Sequence, residues 1–201
     1  MERVLTAKGA ATRQRIVDGA ALLIREQGVA NVGLDDIRAA TATSKSQLFH
    51  YFPDGKADLM LAVARREADQ VIAEQLPELG DLTTWRKWQA WRRRVITMYD
   101  EQRDGCALSA LTGQLGTGGT ATRQIVADLL DRWLEYLVRG VEALRGSGEI
   151  DASVDPVRSA TAILTAVTGG ATMLVATGRI NYLETALTEA IDDLRRPAHA
   201  G

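Results

Sequence analysis

Cysteine and histidine are the scarcest chemically reactive residues in this 201-residue sequence. Cys106 is the single cysteine, so the chain can form no internal disulfide and has no cysteine cluster to hold a metal. The two histidines, His50 and His199, lie far apart, and no H-E-x-x-H or other paired-histidine motif occurs. The sequence therefore predicts neither a metal site nor a cofactor.

Motifs of catalytic and phosphate-binding sites are also missing. The glycine-rich run GQLGTGGTATR, Gly113 to Arg123, lacks the G-K-[ST] ending of a phosphate loop and follows a helical pattern rather than a strand. A loop between two helices is the better interpretation. Neither histidine stands in a pattern with Ser or Cys and a carboxylate that predicts nucleophilic catalysis. We predict that the protein is not an enzyme.

The sequence also lacks runs in which β-branched and polar residues alternate, and it lacks recognisable targeting segments. No Val/Ile/Thr run alternates with a period of two, and this favours an all-α fold. We expect no apolar run to reach the ~18 uncharged residues that indicate a membrane span. The N-terminal stretch MERVLTAKGAATRQR has no apolar core of the kind found in signal peptides. These features predict a soluble, cytoplasmic protein with no membrane partner.

Charge is distributed unevenly along the chain, whose net charge is −2. Residues 1–60 hold eight Lys/Arg against seven Asp/Glu, a balance of +1, and residues 61–201 hold sixteen against nineteen, a balance of −3. The local field at a contact surface matters more than the overall charge. A mildly acidic protein is therefore not excluded from binding DNA through its N-terminal region.

Three short helical patterns fill the first fifty-two positions. The first, of about 16 residues, has an apolar stripe running from Ile16 to Ile24 and ends at Gly28, a natural residue to follow a helix. The second, of about 8 residues, starts after Gly33, and the third runs from Ser44 to Phe52 before Pro53 ends it. Because only a few residues separate the last two, the pattern predicts a helix-turn-helix whose third helix is presented to the major groove.

Longer helical patterns occupy the rest of the chain. The segment RGSGEIDASVD is the clearest loop, and Asp155-Pro156 after it predicts a helix start. The predicted helices run from Lys56 to about Leu76, from Trp85 to about Arg103, within GCALSALTGQLGTGG (residues 105–119), from Thr120 to Arg145, from Pro156 to about Gly178 and from Asn181 to Arg195. We thus expect about nine helices in two domains, residues 1–55 and 56–201, joined by a rigid junction.

The stretch TATSKSQLFHYFPDGK, Thr41 to Lys56, has the chemistry of a nucleic-acid contact. Its hydroxyl and amide side chains suit phosphates and base edges, and Lys45 has the length to reach a phosphate or the O6 and N7 atoms of guanine. The polar residues are Thr43, Ser44, Ser46 and Gln47. The simpler alternative is that Ser44 only caps the helix, while Leu48 and Phe52 belong to the core.

Residues 12–60 resemble the N-terminal domain of the TetR family of transcriptional regulators. The resemblance lies in TRQRIVDGAALLIREQG and in LDDIRAATATSKSQLFHYFPDGKADLM. Three departures stand out. Ala42 and Thr43 replace the family's turn glycine and the hydrophobic residue after it, Gly33 replaces the usual hydroxyl-bearing cap of the second helix, and the loop PDGK before the fourth helix is one residue longer than the common form. The short Gly105–Leu108 element, the helix around Trp133 and GEIDASVDP resemble a subgroup that includes repressors of drug-resistance and efflux genes.

The resemblance implies a role for each matching position. Lys45, Ser46, Gln47 and Phe49 would face base edges or the thymine methyl group. Ser44, His50, Tyr51 and Lys56 would contact phosphates, and Gly33 would offer its backbone N–H to a phosphate. Arg13 would add a backbone or minor-groove contact.

A homodimer formed through the last two helices is the assembly that the resemblance implies. The first of these helices is rich in small and apolar residues, and its threonines add no charge. The residues concerned are Val157, Ala160, Thr161, Ile163, Leu164, Thr165, Val167, Thr168, Gly170, Ala171, Thr172 and Leu174. Such a helix is either paired with a partner copy or buried in its own domain, and the family favours the dimer.

An effector site is expected in the interior of residues 56–178. Large side chains that commonly line pockets occur there, namely Trp85, Trp88, Trp91, Met98, Tyr99 and Trp133. Filling of a core is the alternative for each of them, and Trp88 or Trp91 could also stack on an arginine. The run Arg92–Arg94 is interpreted as a solvated face rather than a DNA contact.

Two functional hypotheses from different classes follow. The first is a dimeric regulator, most simply a repressor, which binds a palindromic operator in double-stranded DNA and is released by a small hydrophobic or aromatic effector. Release would follow a shift of the fourth helix. The alternative is a helical small-molecule-binding protein of the same fold that lacks specific operator binding.

Overall fold

The computed structural model describes residues 5–101 and 119–196, and every regular element in these two stretches is helical. The elements are α1 Ala7–Gln27, α2 Leu34–Ala40, α3 Lys45–Tyr51, α4 Lys56–Ala73, α5 Trp85–Glu101, α6 Gly119–Gly146, α7 Pro156–Thr177 and α8 Asn181–Asp192, with a 3₁₀ turn at Asp193–Arg195. This confirms the all-α prediction. The short helix expected within residues 105–119 falls, apart from Gly119, outside the described residues.

The described residues pack as two compact units. The first unit comprises residues 5–70 together with 119–126, and the second comprises residues 71–101 together with 127–196. This division is based on packing alone and does not show which function either unit has. The functional division into residues 1–55 and 56–201 therefore stays a prediction.

Helix α1 begins earlier than the apolar stripe predicts and has 21 residues rather than about 16. The hydroxyl of Thr6 caps it by accepting a hydrogen bond from the backbone N–H of Gly9 at 3.2 Å. Small and polar residues fill the first turns, so hydrophobic periodicity alone could not reveal them. The helix ends as expected at Gly28, whose φ of 80° lies in the region that favours glycine.

The core of the first unit is formed by the inner faces of its first four helices. Leu48 and Phe52 are buried in it, as predicted from the sequence, and they fix α3 to its neighbours. The other large buried residues are Ile16, Val17 and Ile24 from α1, Ile37 from α2, and Leu59 and Val63 from α4. A helix as short as α3 gains its stability from this packing, because seven residues form only a marginal helix by themselves.

The second unit is built around large buried side chains of α5, α6, α7 and α8. Trp88 and Trp91 of α5 and Trp133 of α6 have no exposed surface. Helices α7 and α8 approach closely because Gly170 has no side chain: a Cβ built there would lie 2.5 Å from the Cα of Leu183. Gly140 has the same role in α6, where a Cβ would lie 2.6 Å from that of Leu82.

Helix α7 starts and stops as its end signals predict. The carboxylate of Asp155 accepts hydrogen bonds from the N–H groups of Val157 and Arg158, at 3.0 and 3.1 Å, and Gly178 follows the helix with a φ of 68°.

The expectation about long apolar runs was wrong for this same helix. No charged residue lies between Arg158 and Arg179, and α7 is the one helix in the described part of the chain that is long and apolar enough to cross a membrane by length and composition. Such composition is also typical of a helix packed inside a soluble protein. One face of α7 is indeed buried against the second unit.

Candidate nucleic-acid interface and effector region

Helix α3 exposes most of its polar side chains on the surface opposite its core contacts. Leu48 and Phe52 are buried in the core of the first unit, and Tyr51 packs partly against it. The exposed side chains are those of Ser44, Lys45, Ser46, Gln47, Phe49 and His50. Six of the ten residues predicted to contact DNA therefore form one accessible surface.

The first turn of α3 is fixed by a reciprocal cap. The Ser44 hydroxyl accepts a hydrogen bond from the Gln47 N–H at 3.2 Å, and the Gln47 side-chain oxygen accepts one from the Ser44 N–H at 3.2 Å. Ser46 lies within 3.2 Å of the same hydroxyl. The amide nitrogen of Gln47 is not part of this cap, so the side chain is both held in place and able to donate.

The turn between α2 and α3 contains the substitution that distinguishes this chain from the family pattern. Ala42, at the position of the turn glycine, adopts a φ of 45°, and no other non-glycine residue of the described chain has a positive φ. The turn thus holds an alanine in a left-handed conformation that its side chain disfavours and that glycine adopts readily.

Hydrogen bonds on both sides of Ala42 hold this strained turn. The Thr41 hydroxyl donates to the Ile37 carbonyl at 2.6 Å and lies 2.9 Å from the Thr43 hydroxyl. The guanidinium of Arg15 in α1 donates to the Thr41 carbonyl. Arg15 was missed from the sequence, because its partner lies 26 positions away and no local pattern marks the pair.

Thr43 takes part in this turn rather than in the exposed surface of α3. Its side chain is buried, and its hydroxyl is occupied by Thr41, whose carbonyl lies 3.1 Å away. The polar reading of Thr43 rested on a hydroxyl reaching outward. In the structure that hydroxyl instead donates a hydrogen bond to the Thr41 carbonyl within the turn.

Gly33 and Lys56, two of the residues predicted to contact DNA phosphates, already have partners within the chain. The Gly33 N–H donates to the carboxylate of Asp36 at 2.8 Å, and the ammonium of Lys56 donates to the Val32 carbonyl at 2.6 Å. Lys56 keeps two further donors, whereas Gly33 has only the one. A phosphate at Gly33 would have to displace Asp36.

Aromatic rings extend the α3 surface at its C-terminal end. His50 and Tyr51 meet edge to face with ring centroids 4.9 Å apart. Tyr51 is half-buried, and a Cβ built on Gly9 would lie 3.5 Å from its hydroxyl, which places that hydroxyl beside the start of α1. The guanidinium carbon of Arg13 lies 5.3 Å from the centroid of the Phe52 ring, so this cation stacks on an aromatic residue of the core.

The predicted effector residues are mostly buried in the second unit. Trp88, Met98, Tyr99 and Trp133 are buried, and Trp85 is half-buried. Trp88 meets Trp91 edge to face at 5.8 Å, and the Trp91 N–H donates to the side-chain oxygen of Gln75 at 2.9 Å. Their burial agrees with either a pocket lining or a filled core, so their role in ligand binding stays a prediction.

An arginine does stack on a tryptophan, but at another position than expected. Arg195 lies over the Trp85 ring at 4.2 Å, whereas Trp88 and Trp91 pack on each other. The prediction that Arg92–Arg94 form a solvated face agrees with the exposure of two of the three side chains. Arg93 and Arg94 are exposed as predicted, but Arg92 is half-buried and reaches Thr188 of α8 at 3.4 Å.

The residues of α7 that the sequence predicted for a dimer surface divide between a buried and an exposed face of the helix. Most of the predicted stripe is buried within the chain itself, namely Ala160, Ile163, Leu164, Val167, Gly170, Ala171 and Leu174. Val157 is 56% exposed. A second face carries Thr161, Thr165, Gly169, Thr172, Met173 and Val175, all of them exposed and uncharged. The stripe of buried residues packs on α8, and this second face is left open.

In the part of the chain that the structure describes, no three His, Cys, Asp or Glu side chains are grouped so that they could hold a metal ion.

Two family models match this chain and together cover most of it. The model described as bacterial regulatory proteins, tetR family, matches residues 16–63, which include all of α2 and α3. The model described as Tetracyclin repressor-like, C-terminal domain, matches residues 85–190. The first match confirms the resemblance seen in the sequence, and the second extends it over α5 to α8.

Similar proteins and solved structures agree with these matches. SrpR of Pseudomonas putida, an HTH-type transcriptional regulator, is 26% identical over 160 residues, which cover 77% of this chain and 71% of SrpR. An uncharacterised HTH-type transcriptional regulator of Mycobacterium tuberculosis is 26% identical over 127 residues, 60% of this chain; this chain spans 64% of that relative's length.

Solved structures show the same fold over nearly the whole chain. A transcriptional regulator of Cytophaga hutchinsonii has a TM-score of 0.81 at 20% identity, covering 97% of this chain and 100% of that one. A transcriptional regulator of Chloroflexus aurantiacus has a TM-score of 0.75 at 25% identity, covering 93% and 96%. The arrangement of helices is therefore a known one.

Proposed function

The chain belongs to the TetR family of bacterial regulatory proteins, and on this basis we propose that it is a dimeric transcriptional repressor that an effector releases from its operator. Membership in a family of regulatory proteins also agrees with the prediction that the chain is not an enzyme. Since bacterial DNA lies in the cytoplasm, the proposed function places the protein there.

The exposed surface of α3 is the observation that carries this proposal. Two buried side chains fix the helix, a reciprocal cap fixes its first turn, and its hydroxyl, amide, ammonium and aromatic groups are left accessible. These are the groups that hydrogen-bond phosphates and base edges or pack on the thymine methyl group. A helix held this way enters the major groove as a rigid unit.

The residue roles are those that the family resemblance implies for the matching positions. Lys45, Ser46, Gln47 and Phe49 are proposed to face base edges, with Phe49 packing on a thymine methyl group. Ser44, His50, Tyr51 and Lys56 are proposed to contact phosphates and set the register of the helix in the groove. We leave Gly33 and Thr43 out of this set, because the N–H of the first and the hydroxyl of the second have partners within the chain.

Dimerisation is proposed to occur through the open face of α7 together with α8. The exposed residues of that face are uncharged apart from Arg158 at its N-terminal end, so two copies can meet there without burying unpaired charges. A two-fold dimer would present two α3 helices to a palindromic operator with half-site centres ~34–36 Å apart, or a multiple of this.

The effector is proposed to bind among the aromatic residues of the second unit. Its affinity would need to be higher for the conformation that does not fit the operator, because a ligand shifts an equilibrium only by its difference in affinity for the two states.

A gel shift with the DNA flanking the gene of this protein tests the proposal. We expect a salt-sensitive complex that competitor DNA of unrelated sequence does not remove. Binding no stronger than to unrelated DNA would instead favour the second candidate, a helical small-molecule-binding protein of the same fold without an operator. If α3 fails this test, the buried tryptophans are the structural feature that agrees with the second candidate.

A further inference from the structure

Helix α1 contacts the turn between α2 and α3 at two positions that lie one helical turn apart. The guanidinium of Arg15 donates a hydrogen bond to the carbonyl of Thr41. Gly19 lies four residues later on the same face of α1, and a Cβ built there would lie 2.3 Å from Cγ2 of Thr41. The side chain and the backbone of Thr41 are therefore both held against α1.

The carbonyl that Arg15 binds belongs to the peptide unit directly before Ala42. Because a peptide unit is planar, the direction of this carbonyl is tied to the φ of Ala42, which is 45°. A return of Ala42 to a negative φ would turn the carbonyl or shift the chain that follows it. The hydrogen bond from a charged donor on another helix holds the carbonyl in place, and it thereby opposes relaxation of the strained residue.

Other hydrogen bonds of the turn are formed within the helix-turn-helix itself. The Thr43 hydroxyl donates to the same Thr41 carbonyl at 3.1 Å, and the Thr43 N–H donates to the Arg38 carbonyl at 3.0 Å. These bonds keep the local shape of the turn, but they would move together with it. Arg15 differs from them because it ties the turn to α1, whose buried face belongs to the core of the first unit.

The turn lies directly before the residues of α3 that are proposed to read bases. Ser44 caps the helix two residues after Ala42, and the first turn of the helix is formed by Lys45–Gln47. A change of direction at the turn therefore displaces these side chains relative to the bases. Hydrogen bonds weaken steeply away from their best distance and angle, whereas the attraction between cations and phosphates is independent of sequence. Mispositioning should thus reduce specific binding more than non-specific binding.

We propose that Arg15 is a positioning residue for operator recognition, which acts through the Thr41 carbonyl and the Ala42 turn and not by contact with DNA. This inference rests on the proposed function, because it concerns the helix that reads the same operator. Arg15 fixes the direction in which α3 leaves the turn, and so it sets the selectivity of α3 without touching a base. Glycine adopts a positive φ without the strain that alanine has, so Ala42→Gly makes the arginine less necessary.

Arg15→Met, alone and combined with Ala42→Gly, tests this coupling. Methionine keeps an unbranched side chain but has no donor for the Thr41 carbonyl. The affinities of the full-length variants for the DNA that flanks the gene and for unrelated DNA are measured by fluorescence anisotropy at several salt concentrations. The ratio of the two affinities reports sequence reading, and the slope against salt reports the number of phosphate contacts.

We expect Arg15→Met to lower the ratio roughly tenfold, the loss that corresponds to one charge-assisted hydrogen bond, and to leave the salt slope unchanged. Ala42→Gly in the same chain should restore the ratio to within about threefold of the wild type, because glycine removes the strain that the arginine opposes. Denaturant unfolding confirms that each variant is folded at the assay temperature. Arg15→Gln, which keeps a neutral donor of shorter reach, takes its place if Arg15→Met does not fold.

Arg65→Met is the matched control. Arg65 is an exposed arginine of α4 in the same unit, so the substitution also removes one surface cation. Its effect on the ratio should be small, and it should be the same with and without Ala42→Gly, because the two positions are independent.

Three results would overturn the inference: an unchanged ratio in Arg15→Met, a loss that Ala42→Gly does not reduce, or a salt slope lowered by about 0.9, which would show a direct phosphate contact of Arg15. Each of them leaves operator binding by the wild-type protein intact, and with it the proposed function. A wild-type protein that does not distinguish the flanking DNA from unrelated DNA would contradict the proposed function, and the inference would fail with it.

Discussion

Arg25 of α1 donates two hydrogen bonds to the carboxylate of Glu67 in α4, from Nε at 3.0 Å and from Nη2 at 2.7 Å. The other oxygen of Glu67 accepts from Arg66 at 2.7 Å, and Arg66 also donates to Asp18 of α1 at 2.8 Å. Burial lowers the pKa of Arg66, but the hydrogen bonds to Asp18 and Glu67 outweigh this and raise it. Four charged side chains thus join α1 to α4 within the first unit.

Removal of Glu67 should strongly destabilise the first unit. Its side chain is 1% exposed, and it pairs with Arg25 and with Arg66, of which Arg66 also pairs with Asp18. We expect Glu67→Ala to lower the free energy of unfolding by about 3–5 kcal/mol, because breaking a buried ion pair leaves the partner's charge unpaired. Denaturant unfolding followed by circular dichroism measures this change.

An exposed ion pair provides the control for Glu67. Glu189 accepts a hydrogen bond from Arg196 at 2.6 Å, and both side chains are more than half exposed. Glu189→Gln should change the free energy of unfolding by less than about 1 kcal/mol. Equal effects of the two substitutions would show that the Glu67 network contributes no more than a surface pair does.

The turn at Ala42 should become more stable when the family's glycine is restored. With a φ of 45°, Ala42 pays a steric cost of about 1–2 kcal/mol, which glycine avoids. Part of the gain is offset because glycine is more flexible in the unfolded chain. We expect Ala42→Gly to raise the free energy of unfolding by about 0.5–1 kcal/mol.

The same substitution three residues earlier should have the opposite effect. Ala39 is exposed within α2, where glycine is a poor helix former, so Ala39→Gly should destabilise by about 0.5–1 kcal/mol. Thermal unfolding of both variants under one set of conditions measures the two signs. A loss of stability in Ala42→Gly would show that the turn does not strain its alanine.

The space between α1 and the same turn is too small for one additional methyl group. A Cβ built on Gly19 would lie 2.3 Å from Cγ2 of Thr41, whose hydroxyl and carbonyl both hold the turn. We expect Gly19→Ala to destabilise the protein by roughly 1–3 kcal/mol through overpacking, although alanine favours a helix. The measurement is again denaturant unfolding.

A second substitution should rescue this variant. Thr41→Ser removes Cγ2 but keeps the hydroxyl, so Gly19→Ala combined with Thr41→Ser should recover most of the lost stability. The interaction term of the double-mutant cycle should therefore be favourable. A double variant whose two losses simply add would place the clash elsewhere.

The sequence predicted α3 closely because its end signals and its core residues are local. Ser44 and Pro53 limit the helix, and the spacing of Leu48 and Phe52 shows which side is buried. The sequence also showed that the turn before α3 departs from the family pattern, because Ala42 stands where the family has glycine. Its φ value, however, required the structure.

Contacts between distant positions could not be predicted in the same way. Arg15 with Thr41 and Arg195 with Trp85 join residues that only the fold brings together. Glu67 gave no signal either, because a glutamate in an amphipathic helix is usually solvated. The apolar residues of α7 were recognised, but the sequence alone left open whether they pack within the chain or against a partner copy, and most of them pack within the chain.

Lys45 is proposed to face base edges, but its length also allows a phosphate contact, and the two roles differ in their effect on salt dependence. Its side chain is exposed at the start of α3. If it contacts a phosphate, Lys45→Ala should reduce the salt dependence of operator binding by close to one unit of slope, about 0.9, whereas a contact to guanine would mainly relax sequence preference. Fluorescence anisotropy at several salt concentrations distinguishes the two roles.

A second exposed cation provides the control for Lys45. Arg93 of α5 lies on the face predicted to be solvated, so Arg93→Ala should leave both the affinity for the operator and its salt dependence unchanged. If Lys45→Ala also changes neither, α3 does not carry the proposed contact.

The open face of α7 should control dimerisation without affecting the fold of a single chain. Thr165 is exposed there, and a two-fold interface places each new charge near its own copy, so Thr165→Arg should shift the dimer toward monomer. We expect the dimer dissociation constant to rise at least about 100-fold, since an unpaired charge would be buried. Thr97→Arg, at an exposed position of α5, should have no effect. Analytical ultracentrifugation measures both, and an unaltered dimer in Thr165→Arg would place the interface on another surface.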